Sequence, residues 1–291
     1  NSATVLTPPI FADVKRVRSV FTLVGERTFE EPLGNNMSVV DGVVREGLKL
    51  TGVPDQELDS EVQREIQRTH QRRADLNDYI GQGIPPFVVA SPKPAAGIGF
   101  VDVNGGTMAD LQLDSLNRIV ADISFVTEPG NGVLMAPADC PLIDIVDPRP
   151  GGQVVQIHAG WQGLRLRVVR KGMALARERG LDMANALVHI HPNATDGFEL
   201  GGEGLESWIG AFDGDFTTTV NDRSYISMTD AAIGQLEEAG IKPEHIQTSS
   251  AYSPDGKDFN SLIDNRFFSH RAKGEKGFGG RNAGVLVRVS D

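Results

Sequence analysis

One thiol and one imidazole, each set among residues of little bulk, offer the clearest chemistry in this sequence. Cys140 stands in Ala138-Asp139-Cys140-Pro141-Leu142, and His158 follows 18 residues later in His158-Ala159-Gly160-Trp161-Gln162-Gly163. Two chemistries are open to such a pair. An imidazole beside a thiol stabilises the thiolate and moves its proton, which would make Cys140 a nucleophile and His158 its base, as in cysteine hydrolases. Alternatively both are zinc ligands. A catalytic zinc takes three protein donors and keeps one position open for a water that ionises near neutral pH. The inert reading is a small buried thiol and a satisfied core histidine.

Elements able to bring the two together can be read nearby. The runs 143–146 and 154–157 are apolar and β-rich, and Asp147-Pro148-Arg149-Pro150-Gly151-Gly152 between them is a turn, so a hairpin would carry both side chains to one end of a sheet. His158 then sits where a strand feeds a helix, the junction at which α/β sheets bind ligands. Further β-like runs fall at 14–23, 119–126, 132–136, 186–190 and 284–289. Helices are expected at 39–50 and 57–70, from Leu164 through Leu175 with a cap at Gly180, and at 229–239 with a cap at Gly240. In the second of these Leu58, Val62 and Ile66 form an apolar stripe, which His70 extends if the helix lasts that far. Residues 81–106 are rich in Gly and Pro and predict a loop-rich insertion with a hairpin. Strands alternating with helices indicate an α/β fold, with residues 1–291 as a single domain.

The 291 residues carry 28 Lys and Arg against 39 Asp and Glu, a net charge of −11. An acidic chain lacks the counterion-release drive of a phosphate-backbone binder, which argues against nucleic acid. No run of about 18 apolar residues and no secretory pattern is present, so neither membrane nor export is expected. Cys140 is the only cysteine, which excludes an internal disulfide and fits a reducing, cytoplasmic location.

The words around the pair carry a resemblance. Ala138-Asp139-Cys140-Pro141-Leu142 followed by His158-Ala159-Gly160-Trp161 resembles the signature of the multicopper polyphenol oxidase or laccase-domain family, also known as the YfiH-like purine nucleoside phosphorylase family. Val120-Ala121-Asp122-Ile123 with Thr127 and Gly130 is similar to that family's strand and turn before the ADC motif. Phe267-Phe268-Ser269-His270-Arg271 and Gly280-Arg281-Asn282-Ala283 are similar to its FFSYR and GR-x-A segments. Order and spacing agree from about residue 119 to 289.

The resemblance implies a YfiH-like layered fold of mixed β-sheets flanked by helices. It also implies a zinc ion held by Cys140, His158 and an upstream histidine, for which His70 is the one candidate. The activities it implies are phosphorolysis of adenosine- or inosine-type nucleosides, adenosine deamination, and a peptidoglycan-editing amidase role. The partners would then be a nucleoside and phosphate, with Arg271 and Arg281, and Gln162 beside the site, as candidates to bind them. A thiolate also accepts copper, so copper-dependent oxidation would be a property of the metal loaded. One cysteine and few histidines cannot build several copper sites.

The sequence departs from the family pattern in places. Gln162 occupies the arginine position of HAGWRG, Leu23 stands where an N-terminal arginine is usual, and Gln71 follows His70 where the family has glycine. His189 and His191 alternate on a strand and share a face. They are either extra ligands or proton shuttles, or one half-exposed strand face. The expectation is a zinc-dependent purine nucleoside enzyme. A metal-free cysteine hydrolase or amidase built on Cys140 and His158, and a non-catalytic nucleoside binder, are the alternatives.

Overall fold

The computed structural model describes residues 5–23, 36–37, 41–81, 88–90, 97, 99–103, 120–213, 215–276 and 279–289. Its described strands form three sheets. The first runs in the order β1 (Val5–Leu6), β2 (Val17–Thr22), β14 (Gly284–Arg288), β6 (Asn131–Met135), β3 (Val88–Ala90). The second has the order β13 (Ile246–Gln247), β9 (Leu187–Ile190), β7 (Leu142–Val146), β8 (Val154–His158), β5 (Ile123–Val126), β4 (Phe100–Asp102). A small third sheet joins β10 (Phe198–Glu199), β12 (Arg223–Ile226) and β11 (Thr217–Val220).

Strand periodicity sorts the second sheet's side chains into two faces. Ile123, Phe125, Ile143, Ile145, Val155, Ile157, Val188 and Ile190 meet α3 (Trp161–Arg165), α4 (Val168–Glu178), α5 (Gly202–Phe212) and α6 (Met228–Glu238) through Leu164, Val169, Met173, Trp208, Ala232 and Leu236. Val126, Leu142, Val146 and Val154 point the other way, onto Phe21, Val133, Met135 and Leu286 of the first sheet. The two sheets approach so closely at Gly284 that a Cβ there would lie 2.2 Å from Leu142 Cδ2. The outer face of the first sheet, with Val20, Leu134, Val285 and Val287, is covered by Leu76 and Ile80 of α2 (Leu58–Ile80). Val44 and Leu48 of α1 (Asp41–Leu50) pack on Leu58 and Val62. The result is a layered α/β/β/α arrangement, the α/β class expected.

Three local expectations are corrected. The runs inside 81–106 form no hairpin: β3 pairs in parallel with β6, whereas β4 pairs in parallel with β5 in the other sheet. Each run pairs at a sheet edge instead of with its neighbour. The helix expected from Leu164 to Leu175 is two helices, because Arg167 takes the left-handed conformation at φ 61° and caps α4. His189 and His191 are not half-exposed: both are wholly buried between the two sheets, where His191 Nε2 donates to Asp144 Oδ2 (2.9 Å) and the ring stacks on Phe21.

Candidate active site

The expected hairpin forms. β7 and β8 are antiparallel with Leu142 opposite His158, so Cys140, two residues before Leu142, returns beside the histidine. The Ala159 N–H donates to Pro141 O (2.8 Å) and fastens the two ends. Gly160 then turns the chain into α3, and it has to be small. A Cβ on it would stand 2.8 Å from Cys140 Sγ and 3.5 Å from His158 Cε1. Those two distances place thiol and imidazole against each other over one glycine.

A third group completes the line. Asp122, just ahead of β5, accepts the His158 backbone N–H on its carbonyl (2.8 Å) and faces His158 Nδ1 with Oδ1 (2.9 Å). Its Oδ2 accepts the Gly97 N–H at 2.9 Å, so the carboxylate is held at both oxygens. With Nδ1 taken by Asp122, Nε2 is the nitrogen left for the thiol. Burial by itself would lower the pKa of His158. The charge of Cys140, followed by hydrogen bonds to Asp122 and Cys140, overcomes it and pushes the group up to about 9. A protonated His158 is the partner that a thiolate requires. Cys140 itself is half-buried, open to a reactant.

Asp139 holds the surrounding loops. Its Oδ1 accepts the Ser261 hydroxyl (2.9 Å), and its Oδ2 accepts the backbone N–H groups of His270 (2.9 Å) and Arg271 (2.8 Å). The 267–271 loop thus hangs from the residue preceding the thiol. Asn282 ties the 280–283 segment to the same frame, donating its N–H to Pro137 O (3.0 Å) and accepting the Phe268 N–H on Oδ1 (3.3 Å).

The other expected site residues are placed as follows. Arg281 is partly buried, and its guanidinium Nη1 donates to the Gly280 carbonyl (2.8 Å). The side chain of Arg271 turns outward over the Phe198 ring (4.2 Å to its centre), beside Glu199. Gln162 is exposed on the first turn of α3, and His70 is exposed on α2, flanked inward by buried Thr69. His189 lies against Tyr252 Oη (3.3 Å) in the inter-sheet layer. Among the described residues no third His, Cys, Asp or Glu gathers with Cys140 and His158 as a metal cage. All six histidines fall within the described segments. Among the described residues Cys140 and His158 supply two donors, one short of the three of a catalytic zinc centre.

Asp122 is the functional residue whose role was missed from the sequence. The signal available was an acidic side chain inside the apolar run Val120-Ala121-Asp122-Ile123, which a buried partner has to explain.

A layered α/β protein with a thiol and a histidine opposed at the strand-to-helix junction of its central sheet is the class that fold and site define. Residues 98–289 match the family model described as multi-copper polyphenol oxidoreductase laccase, and the chain belongs to that family. Its fold is similar to YlmD from Geobacillus stearothermophilus (TM-score 0.75, 18% identity, 99% of this chain and 97% of that one). It is also similar to the hypothetical protein YfiH of Bacillus licheniformis (TM-score 0.73, 18% identity, 98% and 97%). A third likeness is to Neisseria meningitidis protein NMB0706 (TM-score 0.69, 17% identity, 99% and 100%). No curated protein matches the sequence. Among the described residues no helix is long and apolar enough to cross a membrane.

Proposed function

We propose that the chain is a thiol-dependent hydrolase that cleaves an amide or ester through a thioester on Cys140. The observation that carries this reading is the line from Asp122 through His158 to Cys140, with the carboxylate 2.9 Å from Nδ1. In the first half-reaction the thiolate attacks the substrate carbonyl carbon, and the carbonyl π pair moves onto oxygen as the C–S bond forms. The adduct collapses, the C–N or C–O bond breaks, and the His158 imidazolium gives its proton to the departing atom. Neutral His158 then takes a proton from water as the water oxygen attacks the thioester. The C–S bond breaks, releasing the acid and restoring thiolate and imidazolium. Asp122 keeps the imidazole in one orientation and tautomer throughout. This reading agrees with the amidase role that the family resemblance implies.

The zinc-dependent purine nucleoside reading, with nucleoside and phosphate as partners, ranks second. In its favour, Cys140 and His158 stand at two of the family's three ligand positions. Against it, His70 lies exposed on α2, and two donors leave a zinc ion short of its usual set. Chelator-treated protein incubated with p-nitrophenyl acetate tests the first reading. An acetyl adduct on Cys140 by mass spectrometry, absent from His158→Gln, is the expected result. Release of free base from adenosine or inosine only when zinc and phosphate are supplied, with no adduct, would replace it by the second.

A further inference from the structure

Three carbonyl groups of one loop converge on a single ammonium. Lys276, the last residue of α7 (Lys273–Lys276), directs its Nζ to Ser261 O (2.5 Å), Asp264 O (2.7 Å) and Phe267 O (3.0 Å). An ammonium carries three N–H donors and no acceptor, which matches three carbonyls. The short helix is itself anchored, since Lys273 pairs with Glu46 of α1 (2.6 Å) and the Ala272 N–H donates to Ser269 Oγ (2.9 Å).

Ser261 is where this cradle meets the thiol site. Its carbonyl takes the Lys276 ammonium, its N–H donates to Asn193 O (2.7 Å), and its hydroxyl donates to Asp139 Oδ1 (2.9 Å). Asp139 precedes Cys140 in the chain, and its own carbonyl accepts the Ala194 N–H (2.9 Å). Every step from the ammonium through Ser261 and Asp139 to Cys140 is thus a hydrogen bond or the chain itself. Without the cation, three carbonyl dipoles would face one another in a partly buried setting with no donor between them, so the loop would have to spread. Spreading carries the Ser261 hydroxyl away from the carboxylate beside the thiol.

Resting on the thiol reading above, we propose that Lys276 is a positioning residue for Cys140, holding the sulfur over Gly160 and against His158 by way of Ser261 and Asp139. Position shows in the proton of the thiol as well as in its rate, because a sulfur that drifts from His158 returns toward the ordinary thiol pKa of about 8.5. The measurements are the pH dependence of Cys140 alkylation by iodoacetamide and its acylation by p-nitrophenyl acetate at neutral pH. In Lys276→Met the alkylation midpoint is expected to rise by about one pH unit and acylation to fall about tenfold. Lys276→Arg, which keeps the charge and the donors, is expected to restore most of both. Ser261→Ala is expected to move the midpoint the same way, and Lys276→Met added to it to move it little further. Far-ultraviolet circular dichroism checks folding, and Lys276→Gln, which keeps two amide donors, replaces Lys276→Met if that variant does not fold. A folded Met or Gln variant with the midpoint and acylation rate of wild type overturns the proposal, as does a double variant in which the two shifts simply add. A wild-type Cys140 with an ordinary thiol midpoint and no acyl adduct would instead defeat the thiol reading on which the proposal rests.

Discussion

Substituting Gly160→Ala adds one methyl group beside the thiol and little else. The backbone at Gly160 has φ −64° and ψ 165°, an extended conformation that alanine adopts freely, so no backbone strain enters. The new Cβ would meet Cys140 Sγ at 2.8 Å, whereas ordinary contacts begin near 3.4 Å, so the sulfur has to retreat by about 0.6 Å or more. Overpacking of this kind costs about 1–3 kcal/mol of stability. Misplacing a reacting atom by roughly an ångström costs on the order of 100-fold in rate. The acylation rate of Cys140 by p-nitrophenyl acetate, followed as released nitrophenol, is therefore expected to fall about 10- to 100-fold. Gly201→Ala is the control: it also precedes a helix in extended backbone, and a Cβ there meets nothing within 4 Å. A Gly160→Ala protein that keeps its fold and acylates within twofold of wild type would refute the placement of the thiol over Gly160.

Other outcomes follow from the same geometry. Asp122→Asn removes the charge facing His158 Nδ1 and lets the ring take the wrong tautomer, so acylation should drop by roughly 10²–10⁴-fold while iodoacetamide still labels Cys140. Asp139→Ala leaves the His270 and Arg271 N–H groups and the Ser261 hydroxyl without their acceptor. A loss of about 2–4 kcal/mol in urea unfolding and new proteolytic cutting near residue 270 are expected. His189, wholly buried, is held well below its ordinary pKa of 6.5, first by burial and then by His191. The unfolded chain therefore binds a proton that the folded one refuses. Stability attributable to His189 is intact above pH 6.5 and falls by up to about 1.4 kcal/mol per pH unit below it, a slope that His189→Gln should reduce. Dialysed protein titrated with zinc should bind less than one equivalent, and His70→Ala should leave that unchanged.

The pairing of Cys140 with His158 was legible because both strands of the hairpin are short apolar runs and the turn between them is written in Asp, Pro and Gly. β5, β7, β8 and β9 of the second sheet were legible for the same reason, whereas the two-residue β13 was not. His70 shows where pattern reading misleads. Steps of four from Leu58 through Val62 and Ile66 reach position 70, but each residue turns about 100°, so twelve residues accumulate a drift of about 120°. The buried face instead follows Leu58, Val62, Glu65, Thr69, Leu76 and Ile80, and His70 rotates out to solvent. Asp122 could be matched to the family's strand, yet its role depends on the spatial neighbour His158, 36 residues away, which no local pattern reveals. Arg281 was legible as a candidate anion binder from its charge and its GR-x-A segment, whereas the engagement of Lys273, Lys276 and Arg266 with other partners was not. The burial of His189 and His191 depends on a second sheet lying over the first, and strand alternation alone cannot report what covers a face.

The place of β14 in the first sheet bears on how the protein is born. It lies between β2 and β6, and Ala283 donates to Thr22 Oγ1 from 261 residues away. During synthesis β2 must therefore wait, with its pairing edge bare, until nearly the whole described chain has left the ribosome. Such distant closure slows folding, because the loop-closure entropy has to be met before the strand contacts repay it. The clasp of Asn282 on Pro137, three residues before Cys140, arrives with the same late segment, so the loop that carries the thiol is fastened last.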